Sequence, residues 1–516
     1  MINFKKEKFY ITTAIPYINA PPHLGHILEF TQTDAIARFN KLLGKDIFLV
    51  TGSDENSLKN VRTAEEIGVK TQELCDKNSR IFKEVAISFG LCFNKFIRSS
   101  DKNEHWPGVW KLWNLCKEAG DIYLKKYKGL YCVGCEAFYT KEELTNGVCP
   151  EHGTEPEIVE EENYFFRLSK YQDELRNIIE KGKLKIIPEF RKNEVLSFID
   201  GGLEDFSISR SRERAKGWGI PVPGDETQII YVWFDALSVY LTGIGFGIDE
   251  EKFKKWWPAD VHVIGKGITR FHAIYWPAIL LSSGLELPKN IFIHGYITIE
   301  GQKMSKSLGN IIDPRELIKK YNVDFIRYFL LNEISQFEDG DFSEKRLIEK
   351  VNNELIANFG NFAYRVLSFL KNNFNSKVPE HGEIKDQEKE IIEKVEKIKE
   401  TVKRYMEEFK ITDALREIIS LSKIGNQYFQ SKKPWETFKE NIEDCKTTLF
   451  ISTNLVRALA ILLSPFIPFS CEKLWKQLNL KESVHEQKFD SIDKFEIKPY
   501  HEIGEIEPLF KKLEVV

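Results

Sequence analysis

The sequence of 516 residues lacks an export signal, a long uninterrupted hydrophobic run and an excess of either charge. Its first residues, MINFKKEKFYITTAIPY, have no apolar core followed by a small-residue cleavage site. The most apolar stretch, LVRALAILLSPFIPFS, is interrupted by Arg457, Pro465 and Pro468, which predicts a buried helix instead of a membrane span. A net charge of −4 means that any nucleic acid must bind to local basic patches. We therefore expect a cytoplasmic protein without a membrane partner.

Cysteine is scarce, and its eight residues are unevenly placed. In a chain without an export signal, a local cluster of cysteines favours one metal site over a disulfide framework. The segment YCVGCEAFYTKEELTNGVCPEH contains Cys132-x2-Cys135 and Cys149-x2-His152, separated by thirteen residues. Three thiolates and one imidazole make a closed tetrahedral set, so the spacing predicts one structural Zn²⁺ per chain.

The start of the chain alternates between strand and helix patterns. KFYITTAI (8–15) and DIFLVTGSDE (46–55) are strand-like, and the segment between them has apolar residues at helical spacing. Three later segments repeat the strand signal, at 229–234, 261–265 and 291–299. Strands separated by helices indicate a parallel sheet with helices on both faces. The sequence predicts a doubly wound Rossmann-type α/β domain, followed from about residue 346 by an all-α bundle with helical periodicity throughout.

Residues 21–26, PPHLGH, lie where the first strand meets the first helix. Ligands bind at that edge of a doubly wound sheet, and the free N–H groups of a helix N-terminus attract phosphate. His23 and His26 would add two donors there, and Gly25 leaves room for an adenine or ribose. The alternatives are a metal site and a pair of histidines satisfied within the core.

A second motif, KMSKSLGN, places Lys303 and Lys306 three residues apart on a loop of small polar residues. Such lysines suit a loop that closes over a polyphosphate as negative charge builds on a leaving pyrophosphate. Alone, the motif would also suit a solvated surface loop. The combination with PPHLGH in an α/β chain is much more specific than either motif.

The two motifs resemble the HIGH and KMSKS signatures of class I aminoacyl-tRNA synthetases. Further segments, AIPYINAPPHLGH, TGSDE, YVWFDALSVY, VIGKGITRFH and HGYITIEGQKMSKS, resemble the methionyl-tRNA synthetase family over nearly the whole chain. The resemblance implies that L-methionine reacts with ATP, accompanied by Mg²⁺, to give methionyl-adenylate and pyrophosphate. Transfer to the 3′ end of tRNA(Met), both initiator and elongator, would follow.

The resemblance also implies roles for individual residues. The catalytic residues would be His23, His26, Lys303 and Lys306, which would bind ATP together with Gly25, His294 and Gly295. The methionine-binding residues would be Ala14, Ile15, Tyr17, Asp54, Trp233, Ala236, Leu237, Tyr240, Ile268 and His272, with Asp54 pairing with the substrate ammonium. This chain departs from the family at Asn56 and Ser57, where His-Gly is usual, and at Leu237, where many relatives have proline. Without the resemblance, ordinary core packing would explain most of the apolar positions.

ANFGNFAYR and GNQYFQSKKPWE resemble the family's anticodon readers, which implies that Asn361, Arg365 and Trp435 bind the anticodon. The expected domains are 1–120 and 229–295 for the two halves of the catalytic domain, 121–228 for an insertion with a zinc knuckle at about 130–155, 296–345 for the KMSKS loop and stem-contact region, and 346–516 for the anticodon-binding domain. We expect a monomer. The alternative functions are a class I synthetase for another amino acid, a nucleotidyltransferase without an RNA partner, and a catalytically silent tRNA-binding paralogue.

Overall fold

The computed structural model describes residues 6–135, 137–141, 143–151, 153–304 and 309–514. Two residues of the predicted sites, His152 and Lys306, lie outside these ranges, as does the side chain of Lys303. The strands are β1 Lys8–Thr13, β2 Asp46–Ser53, β3 Lys95–Arg98, β4 Ile122–Cys132, β5 Ala137–Tyr139, β6 Glu157–Phe166, β7 Lys185–Ile187, β8 Phe206–Ser207, β9 Ser209–Ser211, β10 Pro221–Val222, β11 Asp225–Ile230, β12 Val261–Gly265, β13 Asn290–His294, β14 Ile297–Ile299, β15 Gln302–Lys303 and β16 Gly340–Phe342.

The helices pack on the sheets and form the C-terminal bundle. They are α1 Leu24–Leu42, α2 Leu58–Glu66, α3 Thr71–Ser88, α4 Trp106–Glu118, α5 Gln172–Glu180, α6 Glu189–Asp200, α7 Val232–Thr242, α8 Glu250–Trp256, α9 Trp276–Ser282, α10 Pro314–Lys320, α11 Val323–Asn332, α12 Glu344–Lys350, α13 Asn361–Asn373, α14 Asp386–Glu407, α15 Ile411–Lys432, α16 Pro434–Glu440, α17 Ile442–Leu463 and α18 Pro468–Gln477. Two π-helical segments, Phe271–Tyr275 and Val351–Gly360, lead into α9 and α13.

The main sheet has six parallel strands in the order β3-β2-β1-β12-β13-β7. Its central strand β1, KFYITT, is buried at five of six positions, as expected for a parallel strand covered on both faces. β2 follows β1 on one side and β12 lies on the other, so the strand order reverses at β1. The crevice at the carboxyl ends of β1 and β12 is therefore the topological switch point, where such sheets bind ligands. The Rossmann-type prediction is confirmed.

Two of the predicted strands differ from the structure. In the segment 229–234, β11 ends at Ile230 and pairs antiparallel with β9 and β10 in a small separate sheet, and α7 begins at Val232. A short apolar run does not distinguish a strand from a buried helix, which explains this error. In the segment 291–299, β13 ends at His294, and β14 joins a different sheet with β15 and β16.

The predicted insertion, 121–228, contains one strand of the main sheet. β7 pairs in parallel with β13, so the chain returns to the catalytic sheet within this segment. Before β7, the strands β4 and β6 form a long antiparallel ribbon that is flanked by β5 and β8. Three residues are too few for a periodic pattern, and for that reason the sequence did not indicate β7.

The C-terminal region is helical from α12 to Gln477, where α18 ends, as predicted. Residues 478–514 form irregular chain with two short 3₁₀ turns instead of further α-helices. One described helix, α17, is long and apolar enough to cross a membrane, but 94% of its most apolar window is buried inside the protein. Its burial against α13, α15 and α18 agrees with the expectation of a core helix. α11 carries the chain from the catalytic domain into this bundle and packs on α1 and α15.

Candidate active site

The two histidines of PPHLGH close the N-terminus of α1. The His23 Nδ1 accepts a hydrogen bond from the Gly25 N–H at 3.1 Å, and the His26 Nδ1 accepts one from the His23 N–H at 3.1 Å. These bonds satisfy two backbone donors in a reciprocal capping arrangement. A neutral imidazole that accepts through Nδ1 carries its hydrogen on Nε2. Each ring therefore presents an Nε2–H donor at the positive end of the helix dipole.

Burial keeps these histidines neutral. Burial lowers the pKa of His23 to about 4 and the pKa of His26 well below its usual value. The centroids of the two rings are 3.9 Å apart, so a positive charge on His23 would further disfavour protonation of His26. A neutral imidazole is still a hydrogen-bond donor. The pair can therefore bind phosphate at neutral pH by directed N–H groups, without a change of protonation during the reaction.

The lowered pKa values predict a loss of stability in acid. Burial lowers the pKa of His272 to about 4, so below pH 6.5 the unfolded chain takes up a proton that the folded chain does not. Stability due to His272 is complete above about pH 6.5 and falls by roughly 3 kcal/mol by pH 4. Urea unfolding between pH 7 and 4 should show this decline. In His272→Gln, the free energy of unfolding should fall less steeply between pH 6.5 and 4, by about 1.4 kcal/mol per pH unit. Equal slopes of unfolding free energy against pH for the two proteins would contradict the prediction.

A cavity of about 350 Å³, here called the inner cavity, lies at the carboxyl ends of β1 and β12. It brings together eleven of the predicted site residues: Ala14, Ile15, Tyr17, His23, Gly25, His26, Asp54, Trp233, Ile268, His294 and Gly295. An outer cleft of about 820 Å³ shares Tyr17, His23, Gly25, Trp233 and Ile268 with it. His23 thus stands between a small apolar chamber and a larger opening, and His26 faces the chamber alone.

The inner cavity has aromatic walls and two acidic groups, Asp54 and Glu29. Tyr17 and Trp233 meet edge to face with ring centroids 6.2 Å apart, and Trp233 stacks on Phe271 at 3.7 Å. Asp54 follows β2, and its N–H donates to the Pro16 carbonyl at 2.9 Å, which holds it beside Tyr17. An amino acid with an apolar side chain can therefore place its ammonium at Asp54 and its side chain against the Tyr17 and Trp233 rings.

Four predicted residues lie behind the cavity wall. Ala236, Leu237, Tyr240 and His272 are buried at 4%, 1%, 2% and 1% exposure, and none of them lines the inner cavity. The Tyr240 hydroxyl donates to the His272 Nε2 at 2.7 Å, since the His272 Nδ1 donates to the Ile268 carbonyl at 3.0 Å. These residues support Trp233 and Ile268 from behind in this conformation.

The sequence reasoning missed Glu29. Its carboxylate accepts from the Ala14 N–H at 2.8 Å and lies 3.0 Å from the His294 Nε2, so it joins β1, α1 and β13 at the inner cavity. The available signal was its position three residues after His26 on the same face of α1. Tyr296, which lines both the cavity and the cleft, was also missed.

Two glycines of the predicted ATP site are packed closely. A Cβ on Gly295 would lie 2.0 Å from the Glu338 carbonyl oxygen, so no side chain fits there. A Cβ on Gly25 would lie 3.0 Å from the His23 ring and 3.5 Å from the Met304 Cε. Met304 belongs to KMSKSLGN and lines the outer cleft together with His23 and Gly25, so this residue of the loop lies beside the histidine motif.

Three of the predicted zinc ligands form a cluster. The sulfurs of Cys132, Cys135 and Cys149 lie within 4.8 Å of one another, with Cys135 and Cys149 3.4 Å apart. Zn–S bonds of about 2.3 Å in a tetrahedron place sulfurs about 3.8 Å apart, so the cluster fits zinc. The Cys149 N–H donates to the Thr154 carbonyl at 2.9 Å. The fourth predicted ligand, His152, lies outside the described residues.

The structure also brings two of the predicted anticodon residues together. The Arg365 guanidinium lies 5.8 Å from the centre of the Trp435 ring, and Trp435 is 39% exposed. Asn361 begins α13 one turn before Arg365 and is exposed. An exposed indole beside polar groups can stack on an unpaired base while the polar groups bond its edge.

Comparisons with known proteins agree with this arrangement. A family model described as "tRNA synthetases class I (M)" matches residues 9–156 and 141–367, and one described as "Anticodon binding domain of methionyl tRNA ligase" matches residues 378–515. A methionine--tRNA ligase of Thermotoga maritima is 40% identical over 98% of this chain and 80% of its own length. One from Brucella suis is 41% identical over 91% of each.

Solved structures give the same result. A Mycobacterium tuberculosis methionyl-tRNA synthetase in complex with methionyl-adenylate has a TM-score of 0.93 and 39% identity, covering 98% of this chain and 99% of the other. The apo form of the same enzyme has a TM-score of 0.87 and 35% identity, with full coverage of both chains. With its fold, its histidine motif and both domains matched, this chain belongs to the methionyl-tRNA synthetase family of class I aminoacyl-tRNA synthetases.

Proposed function

We propose that this protein is a methionine--tRNA ligase that activates L-methionine with ATP and transfers it to the 3′ end of tRNA(Met). The observation that carries this function is the neutral pair His23 and His26, whose Nε2–H donors stand at a helix N-terminus beside an aromatic cavity that contains the Asp54 carboxylate. Adenylate formation requires this combination, whereas simple RNA binding does not.

In the proposed reaction, the methionine carboxylate attacks the α-phosphate of ATP, and pyrophosphate leaves. His23, His26 and the first N–H groups of α1 stabilise the charge on the pentacoordinate phosphorus, and Mg²⁺ accompanies ATP as part of the substrate. Lys303 and Lys306 bind the β- and γ-phosphates of ATP. No covalent enzyme intermediate is needed, because the catalysis consists of positioning and charge stabilisation.

Asp54 binds the methionine ammonium, and Tyr17 and Trp233 contact the thioether chain. Aromatic rings favour a polarisable sulfur, which supports methionine over other apolar amino acids. Tyr240 and His272 fix the cavity wall, and His294 and Gly295 lie at the proposed adenine site. A class I synthetase for another amino acid is the second candidate, and the similarity to methionine--tRNA ligases over nearly the whole chain argues against it.

The test is ATP–pyrophosphate exchange with each of the twenty amino acids in the absence of tRNA. We expect exchange with methionine alone. Exchange with another amino acid would keep the chemistry and overturn the proposed cavity roles. An absence of exchange with every amino acid would favour the catalytically silent paralogue.

We propose that Cys132, Cys135, Cys149 and His152 hold one Zn²⁺, which would cross-link the knuckle. Purified protein should contain about one equivalent of zinc by mass spectrometry, and less than about half would contradict the assignment. Cys149→Ser should lose the metal and lower the thermal midpoint. Cys92→Ser, which changes an exposed cysteine outside the cluster, should retain it.

Asn361, Arg365 and Trp435 are proposed to read the anticodon. Trp435→Ala should lower kcat/KM for tRNA in aminoacylation by about 10- to 100-fold, because it removes one base-stacking contact. ATP–pyrophosphate exchange should be unchanged, since it needs no tRNA. Tyr500→Ala, which removes another exposed aromatic ring of the helical domain, is the matched control and should leave both reactions intact. Equal losses in both reactions for Trp435→Ala would refute the role.

The remaining proposals concern the whole molecule. We propose that it acts as a monomer in the cytoplasm and charges both initiator and elongator tRNA(Met). The domain boundaries proposed are those given above, with 185–187 returned to the catalytic sheet. Light scattering tests the monomeric state. Aminoacylation assays with initiator and elongator tRNA(Met), run separately, test the charging of both species.

A further inference from the structure

Asn56 lies in the loop after β2, and the proposed mechanism gives it no role. Its side chain is 7% exposed. The Asn56 Nδ2 donates to the Asp235 carboxylate at 2.7 Å and to the Ser99 carbonyl at 3.0 Å. Both hydrogens of the amide are therefore used, and one bond crosses from the loop after β2 to the first turn of α7.

Asp235 is the acceptor at the centre of this network, and it is fully buried. Its other carboxylate oxygen lies 2.6 Å from the His105 Nε2, and the His105 Nδ1 lies 2.7 Å from the Thr242 hydroxyl. Asp235 thus links the loop after β2, the N-terminus of α4 and both ends of α7. A buried carboxylate that loses one of its donors is strongly disfavoured, so the network resists small displacements.

The two elements that Asn56 and Asp235 join carry opposite ends of the proposed substrate site. Asp54, two residues before Asn56, lines the inner cavity with Trp233, two residues before Asp235. On the other side of the loop, the Asn60 Nδ2 donates to the carbonyls of Asp54 and Glu55 at 3.0 and 2.9 Å. The loop is therefore fixed from both sides, and its spacing from α7 depends on the bond between Asn56 and Asp235.

We infer that Asn56 is a positioning residue for the amino-acid substrate. Through Asp235 it sets the distance between the carboxylate that binds the ammonium and the indole that contacts the side chain. This inference rests on the proposed function and adds a residue to it. Asn56 itself lies outside the inner cavity and acts on the substrate only through Asp54 and Trp233.

The first experiment is Asn56→Leu, which keeps the approximate shape of the side chain and removes its donors. We expect KM for methionine in ATP–pyrophosphate exchange to rise about 10- to 100-fold, the size expected when a binding group shifts by roughly 1 Å. KM for ATP should stay within about twofold, because the histidine motif is not part of the network. Asn56→His, which restores an N–H donor, should recover most of the affinity.

A second readout separates positioning from a general loss of structure. In the wild-type protein, methionine should bind more tightly in equilibrium dialysis than 4-(methylthio)butanoate, which lacks the ammonium group. If Asn56 positions Asp54, Asn56→Leu should weaken methionine binding and leave the binding of this analogue unchanged. Equal losses for both ligands, or no loss for either, would overturn the inference.

Two controls keep the test decisive. Asn454→Leu removes an equally buried amide that bonds the Phe450 and Ile497 carbonyls in the bundle, and it should lower the thermal midpoint without changing KM for methionine. If Asn56→Leu does not fold, Thr242→Val at the far end of the network replaces it. This variant should also raise KM for methionine and leave KM for ATP nearly unchanged, with a smaller rise than Asn56→Leu. Failure of the wild-type protein to activate methionine would instead refute the proposed function.

Discussion

Replacing His26 with asparagine should lower the kcat of methionine-dependent ATP–pyrophosphate exchange by about 10²- to 10³-fold, as found when one oxyanion donor is removed. The asparagine Oδ1 lies close to the position of the histidine Nδ1, so it can still accept from the His23 N–H and keep the helix capped. No atom of asparagine reaches the position of Nε2. The variant therefore removes the proposed phosphate donor and retains the local structure.

Glutamine at the same position provides the complementary variant. Its longer side chain can place an amide N–H near the position of Nε2, but its oxygen does not match Nδ1. We expect His26→Gln to retain more activity than His26→Asn, although it should be the less stable of the two because the cap is lost. If His26→Asn keeps activity within about fivefold, or if activity follows the thermal midpoint in both variants, His26 serves only as a cap.

The chemistry-bearing motifs could be predicted because each is local in sequence. His23 and His26 lie on one helical turn, and the cysteines of the knuckle are paired at short spacing, so residue type and spacing suffice. The resemblance then supplied the residues that meet only in the folded chain. Eleven of them do lie around one cavity, although their roles stay predictions.

The contributions of partners distant in sequence could not be predicted. The Glu29 contacts to Ala14 and His294 depend on three elements converging at the sheet edge. The spacing of Glu29 from His26 placed both on one face of α1, but an acid on an amphipathic helix ordinarily indicates a solvated face, so the burial of Glu29 and Asp34 could not be predicted. The same limit applies to β7, whose three residues gain strand structure only by pairing with β13.

The second large predicted effect is a loss of stability at the junction between the catalytic domain and the bundle, where Asp34 lies. Asp34 on α1 and Arg327 on α11 form an ion pair of 2.7 Å in which both side chains are fully buried. Arg327 also donates to the carbonyls of Phe89, Phe466 and Pro465 at 2.8 to 3.1 Å. One guanidinium thus joins the helix that carries the active-site histidines to the turn between α17 and α18.

Arg327→Met should lower the free energy of unfolding by about 3–5 kcal/mol, because it leaves a buried carboxylate without one of its two arginine partners and three carbonyls without the Arg327 donor. Burial disfavours ionised Asp34, but Arg38 and Arg327 together hold its pKa below the usual value. Urea unfolding followed by circular dichroism measures the loss. Arg38→Met, which removes a more exposed partner of the same carboxylate, should cost about 1 kcal/mol.

The double variant Asp34→Asn/Arg327→Met tests the pairing itself. Without the carboxylate, the loss of Arg327 no longer strands a buried charge, so the double variant should be more stable than the sum of the two single losses predicts by about 1–3 kcal/mol. Strictly additive losses would mean that Arg327 acts only through the three carbonyls. In that case the bundle would be attached through its own backbone turn, and α1 would contribute no charge to the junction.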